Sequence, residues 1–149
     1  DFHEGGVPTE SYEIPLGEPD IKREGKDITI ITWSREVNFS LEAAKTLAEQ
    51  GIDAEVLDLR TLVPLDWDAI VQSVSKTHNA IIVSEEVKRG SFAGELSAQI
   101  AEELFDELDA PVERVCGLNI CSPFSPVLED ENFPHPETIV AAAKRVLNK

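Results

Sequence analysis

Ile81-Ile82-Val83-Ser84-Glu85-Glu86-Val87-Lys88-Arg89-Gly90-Ser91-Phe92-Ala93-Gly94-Glu95-Leu96 carries the fold in miniature. It opens as a β-branched apolar run with the length of a buried strand. Charged residues and a turn flanked by Gly90 and Gly94 follow. A helix then begins, in which Ala93, Leu96, Ile100, Ala101, Leu104, Phe105 and Leu108 recur at helical spacing. Glu95, Gln99, Glu102, Glu103, Asp106 and Glu107 cover its other face. A strand that hands two carboxylates to the loop at its C-terminal end places them where open α/β sheets carry their functional surface.

Units of the same kind lie on either side. Upstream, residues 28–33 read as a buried strand, and a helix starts at Ser34 or Arg35 with Val37, Leu41, Ala44 and Ala48 as its stripe, widened by Leu47. Gly51 stops that helix, since a residue without Cβ suits the position after the C-cap. Residues 54–59 are a second strand. Pro64 closes the turn after it, and Asp66 suits the N-cap of a helix carrying Trp67, Ile70, Val71 and Val74. His78 follows that helix and reads as a partner of its dipole rather than a catalyst. Downstream, residues 112–116 are a fourth strand, residues 118–136 with four prolines are irregular, and residues 137–147 form a last helix. Strand–helix repeated in this way implies parallel pairing and helices on both faces, an α/β fold in three layers, α/β/α. Residues 1–26, with three prolines and four glycines, read as an extended linker or arm with Tyr12, Ile14 and Leu16 as candidate anchors. The domain proper is residues 27–149.

A chain of 149 residues, 42% hydrophobic and 28% charged, has room for one soluble domain with a core. No apolar run approaches the roughly 18 residues of a bilayer span, so no membrane is expected. Asp1-Phe2-His3-Glu4-Gly5-Gly6 has neither the basic start nor the apolar stretch of a signal peptide, and the missing initiator Met suggests a processed product or a fragment. A net charge of −16 excludes nucleic acid as a partner and suits a basic protein surface. Cys116 and Cys121 lack further ligands nearby, which leaves little for zinc or a disulfide. Cys116 reads as a core thiol, and a reducing cytoplasm as the compartment.

Catalytic signatures are missing. Gly90 and Gly94 match neither a dinucleotide fingerprint nor a phosphate-binding loop, and Trp33-Ser34-Arg35-Glu36 is too bulky to cradle a pyrophosphate. No nucleophile elbow is present. Glu85 and Glu86 are the best paired carboxylates, but strand alternation sends them to opposite faces, so hydrogen bonding at the sheet end is the plainer role.

Four motifs in order carry a resemblance: Asp58-Leu59-Arg60-Thr61-Leu62-Val63-Pro64-Leu65-Asp66, then Ser84-Glu85-Glu86 with Gly90-Ser91-Phe92-Ala93-Gly94-Glu95, then Leu108-Asp109-Ala110-Pro111-Val112-Glu113-Arg114-Val115-Cys116-Gly117, then Pro123-Phe124-Ser125-Pro126. With Ile14-Pro15-Leu16-Gly17 in the arm, the chain resembles the C-terminal domain of the E1 β subunit of 2-oxoacid dehydrogenase complexes, the pyruvate, branched-chain and acetoin group. Gly90-Ser91-Phe92-Ala93-Gly94 departs from relatives that carry two adjacent glycines there.

The resemblance implies a transketolase C-terminal fold, with five mostly parallel strands and one antiparallel. Only four are readable here, so a fifth is expected within residues 118–136. It implies a parent oxidoreductase that uses thiamine diphosphate and Mg, favouring pyruvate dehydrogenase, while this chain itself holds no catalytic, cofactor-binding or metal residue and is inactive alone. The partners implied are the E1 α subunit, a second E1 β subunit and the peripheral-subunit-binding domain of E2. Asp109, Glu113 and the terminal carboxylate of Lys149 would dock E2, and Glu85, Glu86, Gly90, Phe92 and Gly94 would form a subunit-interface loop. The alternatives are the matching domain of transketolase or deoxyxylulose-phosphate synthase, or a free-standing small-molecule-binding α/β domain.

Overall fold

The computed structural model describes residues 8–148. One sheet holds five strands, β1 (Asp20–Arg23), β2 (Ile28–Thr32), β3 (Ala54–Asp58), β4 (Ala80–Val87) and β5 (Glu113–Gly117), in the order β1-β3-β2-β4-β5. β2 is parallel to both its neighbours, β5 extends the parallel set beyond β4, and β1 runs antiparallel at the edge beside β3. α1 (Glu36–Glu49) and α5 (Pro136–Val146) cover one face, and α2 (Trp67–Thr77) and α3 (Phe92–Glu103) cover the other. This is the three-layer α/β/α fold read from the sequence.

Alternation along the strands divides the core. Ile28, Ile30, Ile81 and Val83 point to α1 and α5, where Ala43, Ala44, Leu47, Ile139, Ala142 and Ala143 meet them. Ile31, Ala80 and Ile82 point to Ile70 and Val74 of α2 and to Ala93, Leu96 and Ile100 of α3. Both faces of β2 are covered, which is why it reads as an unbroken apolar run. Asp66 caps α2 by accepting from Ala69 N at 3.0 Å, as expected, and Gly51 takes φ +77° after α1.

Several boundaries differ from the sequence reading. The fifth strand is β1, inside the segment read as an arm and not within residues 118–136. Its sequence, Asp-Ile-Lys-Arg, has no apolar alternation to reveal it. It is held by backbone pairing to β3 and by ion pairs: Arg23 to Asp53 at 3.0 Å, Arg60 to Asp20 at 2.7 Å, and Lys22 to Asp58 at 3.6 Å. Tyr12, Ile14 and Leu16 are all exposed and do not enter the core formed by the described residues. The segment 118–136 contains a short helix, α4 (Pro126–Asn132). α3 stops at Glu103 and yields to a 3-10 turn over Phe105–Glu107, so Phe105 leaves the stripe and faces solvent. The buried stripe of α1 runs through Val37, Ser40, Ala44 and Leu47, while Ala48 is exposed.

Gly25 passes so close to the start of β3 that a Cβ there would lie 2.2 Å from Glu55 N and 2.3 Å from Ala54 C. Those neighbours are backbone and cannot swing away. Gly25→Ala is therefore expected to destabilise the domain by roughly 1–3 kcal/mol, read as a lower urea midpoint. An unchanged midpoint would contradict this packing.

Candidate functional site at the carboxyl edge of the sheet

β2 leads into α1 on one face, and its neighbour β4 leads into α3 on the other. The loops leaving these two strands part company, and a crevice opens at their carboxyl ends, where open α/β sheets receive ligands. Ser34 and Arg35 follow β2 there, Glu85 and Glu86 lie near the end of β4, and Glu36, the first residue of α1, is buried.

Glu85 and Glu86 diverge as alternation requires. Glu86 Oε2 accepts from the backbone N of Phe92 at 3.1 Å. It thereby caps α3, whose N-cap residue Ser91 makes no side-chain hydrogen bond. The Phe92 ring meets Trp33 edge-on, with centroids 6.2 Å apart. Glu85 Oε1 accepts from Ser34 Oγ at 3.4 Å, and Ser34 holds a left-handed backbone at φ +58°. Gly90 also has φ +70°, with open space around it, and Gly94 lies close to Arg114. The loop expected at an interface is thus a shaped turn whose carboxylates serve the fold on one side and the crevice on the other.

Glu36 is the residue the sequence reading passed over. It has 0% of its surface exposed, and neither carboxylate oxygen has a hydrogen-bond partner. Burial pushes its carboxyl up to about 7; Arg35 opposes the rise, Glu85 adds to it and His135 opposes it. A signal was available. Glu36 stands four residues before Ser40, in line with Ala43, Ala44 and Leu47, a charged residue on the core-facing stripe of α1.

The far wall of the crevice is α4 and the turn after it. Asn132 is buried with an unpartnered Oδ1, while its backbone O accepts from Leu118 N at 3.2 Å. Gly117 permits this closeness: a Cβ there would lie 2.8 Å from Glu85 O and 3.4 Å from Asn132 O. The Arg35 guanidinium sits over both the Phe39 and Phe133 rings, 5.1 Å from each centroid.

Around the crevice the same edge of the domain carries exposed apolar side chains among the acidic residues of α4. Val63 follows β3, Val87 ends β4, and Leu118, Ile120, Phe124, Val127 and Leu128 follow β5, all exposed. Leu16 joins them, because Gly17 N donates to Thr61 Oγ1 at 2.9 Å and brings the arm onto the loop after β3.

The residues expected to dock E2 lie at the opposite end of the sheet. Asp109 N donates to His78 O at 2.8 Å, and His78 caps α2 in a left-handed conformation, with its Nδ1 2.8 Å from Glu107 O. Glu113 begins β5 and pairs with Arg145 through both guanidinium arms, Nε at 3.2 Å. The two carboxylates border a groove of about 450 Å³ with Ala110, Pro111 and Val146. A second, mainly apolar hollow of about 460 Å³ lies alongside, between Phe105, Leu108 and Val112. Lys149 lies outside the described residues. Neither group is near the other, so the structure divides the expected site residues between two ends.

Chemically, the crevice supplies acceptors. Burial raises the Cys116 thiol and keeps it protonated, so it is a poor nucleophile. Among the described residues no group of three or more His, Cys, Asp or Glu could hold a metal ion. Glu36, Glu85 and Glu86 would repel a diphosphate. These residues do not fit thiamine diphosphate with its Mg.

Residues 17–139 match the family described as Transketolase, C-terminal domain. The chain is 48% identical over 145 residues to the β subunit of acetoin:2,6-dichlorophenolindophenol oxidoreductase of Bacillus subtilis (strain 168), covering 97% of this chain and 42% of that protein. It is 43% identical over 138 residues to the mitochondrial pyruvate dehydrogenase E1 component subunit beta of Dictyostelium discoideum, covering 93% of this chain and 39% of that one. Among solved structures, a split-gene transketolase described as an inactive beta4 tetramer superposes with a TM-score of 0.76 at 28% identity, over 97% of this chain and 46% of the other. The chain thus spans less than half the length of these relatives.

The raised carboxyl of Glu36 has a consequence for stability. Between its ordinary value of 4.5 and about 7 the folded state keeps a proton that the unfolded state has lost. Stability contributed by this group therefore falls as pH rises through that window, and the penalty is complete above it. Glu36→Gln keeps the shape and removes the charge. It is expected to stabilise the chain at pH near 8 by on the order of 2 kcal/mol and to change little near pH 4.5, measured by urea unfolding at both.

Proposed function

The chain belongs to the transketolase C-terminal domain family, and from that premise we propose that it is the C-terminal assembly domain of the β subunit of a thiamine-diphosphate-dependent 2-oxoacid dehydrogenase E1. The observation that carries this reading is the apolar carboxyl edge. A monomer rarely leaves large side chains such as Phe124, Val127 and Leu128 clustered in water without a partner for them. The similarity to β subunits of acetoin and pyruvate enzymes supports an E1 α subunit and a second β subunit as the bodies this domain joins. Catalysis, thiamine diphosphate and Mg belong to parts of the parent outside this chain, and the chain alone is inactive. Its compartment is the cytoplasm. Pyruvate is the substrate we favour from the motifs. Acetoin is the second reading, since two acetoin enzymes are 48% and 46% identical to the chain. Turnover of the parent enzyme on each compound decides between them.

The edge is tested by Phe124→Asp in the full-length parent. Subunit association is expected to weaken at least roughly tenfold by sedimentation, as for loss of an aromatic anchor, with the fold unchanged by circular dichroism. Equal association of both proteins would remove the edge as the assembly surface.

The acidic groove at Asp109 and Glu113, with the apolar hollow beside it, suits the basic peripheral-subunit-binding domain of E2. Asp109→Lys is expected to weaken binding of that domain by roughly tenfold at low salt and to flatten its salt dependence, both read by calorimetry. Unchanged affinity would take Asp109 out of the site.

A further inference from the structure

We propose that the crevice between the carboxyl ends of β2 and β4 is a socket for a guanidinium side chain carried by the body that covers this edge, with Glu36 as its acceptor. The inference rests on the assembly reading and names the chemistry by which the partner is recognised.

Three observations support it. Glu36 is fully buried, yet both its oxygens lack a donor. A buried polar group without a partner is costly, and a carboxylate more so. Asn132 Oδ1, Thr32 Oγ1 and Ser40 Oγ are buried without partners as well. Thr32 and Ser40 share the α1 side of the sheet with Glu36, by strand alternation and by helical spacing. The two unused oxygens of Glu36 call for a multivalent donor. Two free oxygens on one carboxylate match the planar fork of a guanidinium better than the point charge of an ammonium.

The third observation is the way in. Where the loops after β2 and β4 meet, Ser34 Oγ donates to Glu85 Oε1 at 3.4 Å, between exposed groups. That is long beside the roughly 2.5–2.7 Å of a strong hydroxyl–carboxylate bond. An incoming donor displaces it at little cost. The charged groups facing Glu36 are Arg35 on its own helix, Glu85 from β4 and His135 ahead of α5, and Cys116 of β5 also senses its charge. Glu85 adds a second negative charge toward the same guest.

A guanidinium binds the ionised form of Glu36, whereas the free chain holds a proton there up to pH about 7. Association of the full-length parent subunits is therefore expected to tighten about tenfold between pH 6 and pH 8. Glu36→Gln, which preserves shape, is expected to abolish that increase and to bind at pH 8 at least roughly tenfold more weakly than the parent. Sedimentation of both proteins at the two pH values reads the result. A pH dependence shared by wild type and Glu36→Gln overturns the socket and leaves the assembly reading standing, since His135 or another group would then be its source. Absence of association in both proteins at either pH overturns the assembly reading, and the socket with it.

Discussion

β2 is bound in parallel on both sides, to β3 and to β4, and everything else follows from that pairing. A parallel neighbour cannot be reached by a tight turn, so each link must cross a face of the sheet, and helices supply the crossing. The chain leaves β2 for β3 through α1 on one face, then returns past β2 to β4 through α2 on the other. The reversal splits the loops at the carboxyl ends of β2 and β4 and leaves a crevice without any residue having been placed there to make it. The opening stretch, from Ile81 through the Glu85–Glu86 step to the capped start of α3, is one wall of that reversal.

Much of this was legible because it depends on burial. The unbroken apolar runs of β2 and β4, the cap at Asp66 and the stop at Gly51 are local signals that tertiary structure had no reason to override. β1 was illegible for the opposite reason. An edge strand needs only backbone groups and a few ion pairs, and Asp20-Ile21-Lys22-Arg23 offers a helix or strand reader nothing periodic. The end of α3 was hidden because Phe105 continues the apolar spacing while the backbone has already turned to free it for the surface. In the site, the alternation of Glu85 and Glu86 was readable. Burial of Glu36 was signalled only by its place on the α1 stripe, and that signal competes with the ordinary role of a first-turn Glu, which serves the dipole in solvent.

Two buried glutamates separate structure from function here. Glu55 in β3 is as completely buried as Glu36, but Ser73 and Lys76 donate to it, and Thr29 and Thr77 extend the network around Ser73. That cluster ties α2 to the sheet and is complete within the chain. Glu36 is as deeply buried on the other face, and neither of its oxygens accepts a hydrogen bond. A fold that satisfies one buried carboxylate so fully has the means to satisfy another. The lack at Glu36 is therefore informative: the donor it is built for lies in another body.

The distribution of charge and apolar surface supports two distinct uses for the two ends of the sheet. The carboxyl edge combines exposed Leu118, Ile120, Phe124, Val127 and Leu128 with a recessed carboxylate, a pattern suited to a lasting contact that excludes water around one ion pair. The amino end offers Asp109 and Glu113 on open grooves, with Glu113 already engaged by Arg145. An exposed carboxylate such as Asp109 steers a basic partner and releases it readily as salt rises. A domain with a net charge of −16 can thus hold one neighbour by buried surface at one end and recruit another electrostatically at the other. Because the sheet and its two helical layers separate these ends, neither contact obstructs the other.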